Sequence, residues 1–151
     1  MKKQRTGFSL IEVMVVVVIL AVAALASQML APISATRSMQ AATESRKLMS
    51  ALRMARQTAV SSQTPVRLRV LGSTRAITGY VIEQQSGGTF VAIAPEELLT
   101  GLPTMTSNAA SVLFAPTGSS DVSIAVTLGT GRQTHQVSVL AATGLIRYVR
   151  R

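Results

Sequence analysis

The 151-residue chain has no cysteine, no tryptophan and a single histidine, His135. Without thiols it can form no disulfide framework, no cysteine-ligated zinc site and no cysteine nucleophile. One imidazole leaves no histidine pair for a metal and little scope for acid–base chemistry. Acids are scarce too: six Asp and Glu stand against 15 Lys and Arg, a net charge of +9. Of these acids Glu12 lies inside an apolar run, and Glu44, Glu83, Glu96, Glu97 and Asp121 show no paired spacing. There is no Gly-x-Ser-x-Gly elbow and no Gly-x4-Gly-Lys phosphate loop. Glu96-Glu97 reads as a solvated loop pair, Gly129-Thr130-Gly131 as a turn, and His135 as a surface residue at the start of a strand. The expectation is a chain that is not an enzyme, with no catalytic residue, metal, cofactor or small-molecule substrate. Aromatics are only 3% while hydrophobic residues reach 48%, so the apolar mass is aliphatic.

Much of that mass is concentrated near the N-terminus. Residues 1–7 (MKKQRTG) carry Lys2, Lys3 and Arg5 and no acid. Residues 8–31 read FSLIEVMVVVVILAVAALASQMLA, with Ser9, Glu12, Ser27 and Gln28 as the polar members. As a helix this block would be about 36 Å long, enough for a hydrocarbon layer of about 30 Å. The basic leader places the N-terminus in the cytoplasm and everything after residue 31 outside. Three readings compete. A cleaved secretory signal would use the small residues Ala24-Leu25-Ala26, and a plain signal anchor would use the length alone. Both leave Glu12 unexplained, although a carboxylate in a spanning helix costs about 2.5–3.5 kcal/mol at mid-depth.

The third reading comes from a resemblance. Gly7-Phe8-Ser9-Leu10-Ile11-Glu12-Val13 after a short basic leader resembles the class III signal of type IV pilins and pseudopilins. The resemblance implies cleavage by prepilin peptidase between Gly7 and Phe8, N-methylation of Phe8, and retention of the apolar helix in the inner membrane. The new amine at Phe8 lies one helical turn from Glu12. An unpaired carboxylate in a low-dielectric helix bundle is costly, and a neighbouring subunit's amine can neutralise it. Glu12 then sets register during assembly.

Beyond Pro32 the pattern turns amphipathic. Leu48, Leu52, Ala55 and Ala59 form one helical stripe, with Arg46, Arg53 and Arg56 roughly opposite and read as solvated. Thr64-Pro65 ends the helix, so one helix, kinked at Pro32, is expected over residues 8 to about 62. Residues 66–70 alternate strictly, Val66, Leu68 and Val70 inward and Arg67 and Arg69 exposed. Residues 79–84 and 89–93 form a hairpin across Ser86-Gly87-Gly88, and residues 112–114, 122–128, 136–140 and 145–149 supply further strands. Residues 95–110, polar and broken by Pro103, read as a loop. At this length one globular part is expected, an α+β fold with the helix packed on an antiparallel sheet. The organisation is therefore a leader, 1–7, a transmembrane assembly helix, 8–31, and a periplasmic head, 32–151.

The head also resembles a family. The helix-to-strand segment Ala51-Leu52-Arg53-Met54-Ala55-Arg56-Gln57-Thr58-Ala59 with Pro65-Val66-Arg67-Leu68, the turn Phe114-Ala115-Pro116-Thr117-Gly118 and the closing segment Thr143-Gly144-Leu145-Ile146-Arg147 resemble the H-type (GspH/FimT-like) minor pseudopilins. Leu145 replaces the first arginine of their Gly-Arg-x-Arg closing strand, and the helix proline common in pilins falls a few residues earlier than Pro32. The resemblance implies a pilin-like fold and a subunit of a short filament, at or near its tip, whose partners are other pilin subunits, the prepilin peptidase and the inner membrane. In a secretion system it would help initiate or cap the pseudopilus. The alternative is a competence pilus that binds DNA. Arg147, Arg150 and Arg151 crowd the C-terminal end beside Tyr148, with Arg132 in a nearby turn, and such a basic cluster suits phosphate. Set against it, the excess charge serves solubility or neighbouring subunits.

Overall fold

The computed structural model describes residues 9–29, 33–99, 104–129 and 133–151. The proposed leader, Phe8, the kink expected at Pro32, Pro103, the Thr130-Gly131 turn and Arg132 lie outside these. The chain divides into two compact units, Met1–Ile33 and Ser34–Arg151.

In the first unit, α1 runs over Leu10–Met29. The Ser9 carbonyl accepts from the Glu12 and Val13 amides at 3.0 and 3.3 Å, which closes the first turn. Among the described residues no helix is long and apolar enough to cross a membrane. The apolar block of the sequence, residues 8–31, extends beyond α1 at both ends.

In the second unit, α2 (Ile33–Ser62) lays Ala41, Leu48, Leu52, Ala55 and Ala59 into the core, the expected stripe extended two turns back. It stops where expected. Gln63 turns left-handed (φ 53°), its side-chain amide donates to the Val60 carbonyl at 2.8 Å, and Pro65 begins the extended chain. Two antiparallel sheets follow. The first contains β1 (Val66–Ser73), β2 (Ala76–Ser86), β3 (Thr89–Ala92), β4 (Glu97–Leu98) and β6 (Ser111–Phe114), in the order β3-β2-β1-β6 with β4 also on β2. The second contains β5 (Thr104–Ser107), β7 (Ile124–Gly129), β8 (Thr134–Leu140) and β9 (Leu145–Arg150), in the order β5-β7-β8-β9. Alternation sends Val66, Leu68, Val112, Phe114, Ile124, Val126, Val137 and Val139 into one shared core with the α2 stripe. Burying a Leu, Val or Phe side chain contributes about 1.5–3 kcal/mol, so this core holds α2 on both sheets.

The expected loop over residues 95–110 is corrected. It carries β4, paired to β2 at Gly79↔Leu98, and β5, paired to β7 from Thr104↔Gly129 to Ser107↔Val126. The segment Thr104-Met105-Thr106-Ser107, with two β-branched threonines but no apolar alternation, is recruited as a strand by its pairing with β7.

Candidate assembly helix, motif junction and basic edge strand

Glu12 sits in the first turn of α1, where a carboxylate is favoured by the helix dipole. Around it Leu10, Ile11, Val13, Met14 and the side chains onward to Leu25 are all exposed. Gly7 and Phe8, the expected cleavage and methylation residues, lie outside the described residues.

The three head motifs, far apart in sequence, meet at one point. Arg56 is exposed, as expected, yet it also reaches from α2 to two backbone carbonyls. Its Nε donates to the Gly118 carbonyl at 2.8 Å and its Nη2 to that of Thr143 at 3.3 Å. Gly118 (φ 80°) and Gly144 (φ 61°) are left-handed. A Cβ on Gly144 would come within 2.1 Å of the Gly118 oxygen. The turn after β6 and the turn before β9 are therefore pressed together under one guanidinium, which ties the helix to both sheets. Beside this junction a groove of about 570 Å³ is lined by Arg53, Gln57, Val60, Thr117 and Ile146 among others.

Two further arginines point outward as expected but are half-buried. Arg67 and Arg69, expected as exposed, bind Glu83, which β1–β2 pairing places opposite Arg67. Arg67 Nε donates to Glu83 Oε2 at 2.8 Å, and Arg69 Nε and Nη2 to Oε1 at 3.0 and 2.9 Å. Glu83 is 6% exposed. Burial alone would raise its carboxyl, but the hydrogen bonds and charges of Arg69 and Arg67 overcome this and hold it below the usual range. Arg67 also stacks over the Phe90 ring, 4.1 Å from its centroid. These arginines are committed to an ion-pair cluster and are not part of the C-terminal basic group.

That group lies on β9, the edge of the second sheet, and strand alternation divides it. Ile146, Tyr148 and Arg150 face the side of Val139, Val137 and His135, their partners on β8. Arg147 points the other way, and Arg151, two steps on, shares its face. Both are exposed. Arg150 donates to Gln133 Oε1 at 3.3 Å. Thus strand alternation puts Arg147 and Arg151 on one face and Arg150 on the other; Arg132 lies outside the described residues.

His135 is corrected as well. It is 2% exposed, in phase with buried Val137 and Val139, a signal already present in the Thr134–Leu140 alternation. Its Nδ1 bonds the Tyr148 hydroxyl, the two rings stack at 5.8 Å, and among the described residues its Nε2 has no partner. Burial first, then Arg150 and Arg46, push its pKa below the ordinary value.

Comparisons with known proteins fit this geometry. The crystal structure of the type IV minor pilin FimU of Pseudomonas aeruginosa superposes with a TM-score of 0.64 at 15% identity, over 76% of this chain and 91% of that one. The minor pseudopilin EpsH from the Type 2 Secretion System of Vibrio cholerae superposes with a TM-score of 0.61 at 12% identity, over 73% and 96%. At such identities the likeness is one of fold, a pilin-like helix packed on antiparallel sheets. No curated protein matches the sequence. Residues 2–27 match the Prokaryotic N-terminal methylation motif. Residues 44–143, well over half of the chain and the span in which the helix, the Phe114–Gly118 turn and Thr143 converge on Arg56, match the family Type II transport protein GspH, and the chain belongs to that family.

Proposed function

We propose that the chain is a structural minor pseudopilin that is trimmed between Gly7 and Phe8, methylated on Phe8, and drawn from the inner membrane into a short filament that serves protein secretion. The proposed organisation is a leader, 1–7, an anchoring and assembly helix, 8–31, and an outward-facing periplasmic head, 32–151. The observation that carries it is Glu12, a lone carboxylate in the first turn of a helix whose side chains from Leu10 to Leu25 are all exposed, joined to a head with its own closed core. An apolar surface of this kind is stable in lipid or against other apolar helices. Carried into a bundle, the Glu12 carboxylate needs a cation, which a neighbour's Phe8 amine supplies. Partners are therefore other pilin-type subunits, the peptidase that trims the leader, and the membrane.

Glu12→Ala is expected to leave membrane insertion intact while incorporation into filaments falls. Gly7→Val is expected to leave the leader attached, seen by intact mass. Unchanged incorporation of the first variant, or normal trimming of the second, refutes the corresponding half of the proposal.

A second reading, a head that contacts DNA in a competence pilus, is favoured by one observation. Arg147 and Arg151 share an exposed face of an edge strand, with no ion pair to either among the described residues.

A further inference from the structure

The head exposes two strand edges of opposite charge. One is the edge of the first sheet, residues 89–99, which covers β2 through β3 and β4. Its sequence, TFVAIAPEELL, holds Glu96 and Glu97 and no basic residue. The other is β9 with Arg151, LIRYVRR, which holds three arginines and no acid. Each ends its sheet without a further strand among the described residues. Both also expose apolar side chains: Val91, Ile93 and Leu98 at 53, 42 and 63% on the first, Leu145, Tyr148 and Val149 at 46, 37 and 41% on the second.

A free edge is a template for pairing, and charge on it is a common means of preventing that. Charge of one sign on both would disfavour every pairing between these two edges. Opposite signs do something more selective. Two β9 edges repel one another, as do two 89–99 edges, whereas a β9 edge and an 89–99 edge attract, with apolar side chains on both to bury. Like-with-like contact, the closed two-fold arrangement, is penalised. Contact between different patches is left open, and such contacts build open chains.

We propose that the head associates head-to-tail with a second copy of this chain, the acidic 89–99 edge of one copy against the basic β9 edge of the next. Glu96 and Glu97 face Arg147 and Arg151 across the contact, and Leu98, Ile93 and Val91 pack against Leu145 and Val149. Glu97 and Lys47, the latter paired to Glu44 at an N···O distance of 2.9 Å, border a groove of about 500 Å³ beside the acidic edge, lined also by Met54, Tyr80 and Pro95. The groove gives the arriving strand an apolar floor. This inference goes beyond the filament role and does not need it, since it concerns the head alone.

The absence of cysteine makes the test direct. Full-length chains in separate detergent micelles carry single cysteines, Leu98→Cys in one preparation and Val149→Cys in another. They are mixed at low salt and oxidised. The mixed disulfide is expected to exceed either homodimer by roughly tenfold, the scale of electrostatic steering, and to fall at high salt. A Ser61→Cys chain, at the exposed end of α2, sets the background. Charge reversal is the second arm. Glu96→Lys/Glu97→Lys added to both cysteine preparations should abolish the mixed product, as should Arg147→Glu/Arg151→Glu. Combining the lysine pair on the Leu98→Cys chain with the glutamate pair on the Val149→Cys chain should restore it. Mixed product at background level, homodimers equal to it, or no restoration overturns the proposal. Folding of each variant is checked by circular dichroism, and the restored pair itself shows that both are folded.

Discussion

Arg147 and Arg150 are three residues apart and stand on opposite faces of β9, because side chains in a strand alternate. The grouping that matters is therefore Arg147 with Arg151, roughly 13 Å apart along the strand, while Arg150 is turned towards Gln133 and the buried His135. This separates the DNA reading from mere basicity. If phosphates are held by the outer face, each arginine lost should flatten the log–log salt dependence of binding by about 0.9. Arg147→Ala/Arg151→Ala is expected to make the slope shallower by about two, and Arg150→Ala to leave it nearly unchanged, measured on duplex DNA across a salt series. Equal effects of all three arginines would mean diffuse attraction without a site, and no binding near physiological salt would leave the secretion role alone. Arg67 and Arg69 make no contribution in this scheme, since Glu83 already neutralises one of the two charges and fixes both guanidinium groups.

At the level of elements, α2 is fixed by its apolar stripe and by the junction at Arg56, Gly118 and Gly144. Gly144 is left-handed, and a methyl group there collides with the Gly118 carbonyl at 2.1 Å. Gly87 is also left-handed (φ 58°), but a Cβ there meets nothing within 4 Å. Gly87→Ala should therefore cost only the backbone term, about 1–2 kcal/mol, and Gly144→Ala about 2–4 kcal/mol, by urea unfolding. Equal losses would mean that the two turns are free to separate. The stripe on α2, the helix stop at Thr64-Pro65 and the strands other than β4 and β5 were legible in the sequence, because each depends on local period or local turn chemistry. The methylation-type start was legible for the same reason: glycine, an apolar run and glutamate at fixed offsets. What was not legible depends on register and contact between distant segments. Arg67 looked exposed until β1–β2 pairing set Glu83 opposite it. Arg56 is exposed as read, but its role as a tie was hidden because its acceptors lie 62 and 87 residues away. β5 looked like loop because its strand character comes from β7. His135 is the instructive miss: its phase with Val137 and Val139 was readable and pointed inward.

For the whole head, three buried titratable groups set the pH range of stability, and their signs differ. The pKa of His135 is depressed, so as pH falls through about 6.5 the unfolded chain takes up a proton that the folded one resists. Stability then falls. Arg150 and Arg46 add to that resistance, and in the imidazolium the Nε2–H would have no acceptor among the described residues. Glu83 is depressed too, with the opposite charge change and the same consequence. Its contribution is present above the ordinary carboxylate range and is lost as pH falls through its own lowered value. Tyr80 acts at the other end. Burial, then Glu97 and Glu44, push its hydroxyl up to about 12, so between pH 10 and 12 the unfolded chain ionises first and the head loses about 2–3 kcal/mol. The expected profile is a plateau from about pH 7 to 10, with an acid flank that begins near 6.5 and steepens below the carboxylate range. Urea unfolding of the Ser34–Arg151 unit, which holds the whole core, measures it. Tyr80→Phe should remove the alkaline flank and His135→Phe the first part of the acid one, each leaving the other flank in place. An acid flank that begins only below pH 5 in the wild type would show that His135 protonates freely where it stands. His135 would then stand in an open, hydrated contact with Tyr148 and not be buried between β8 and β9.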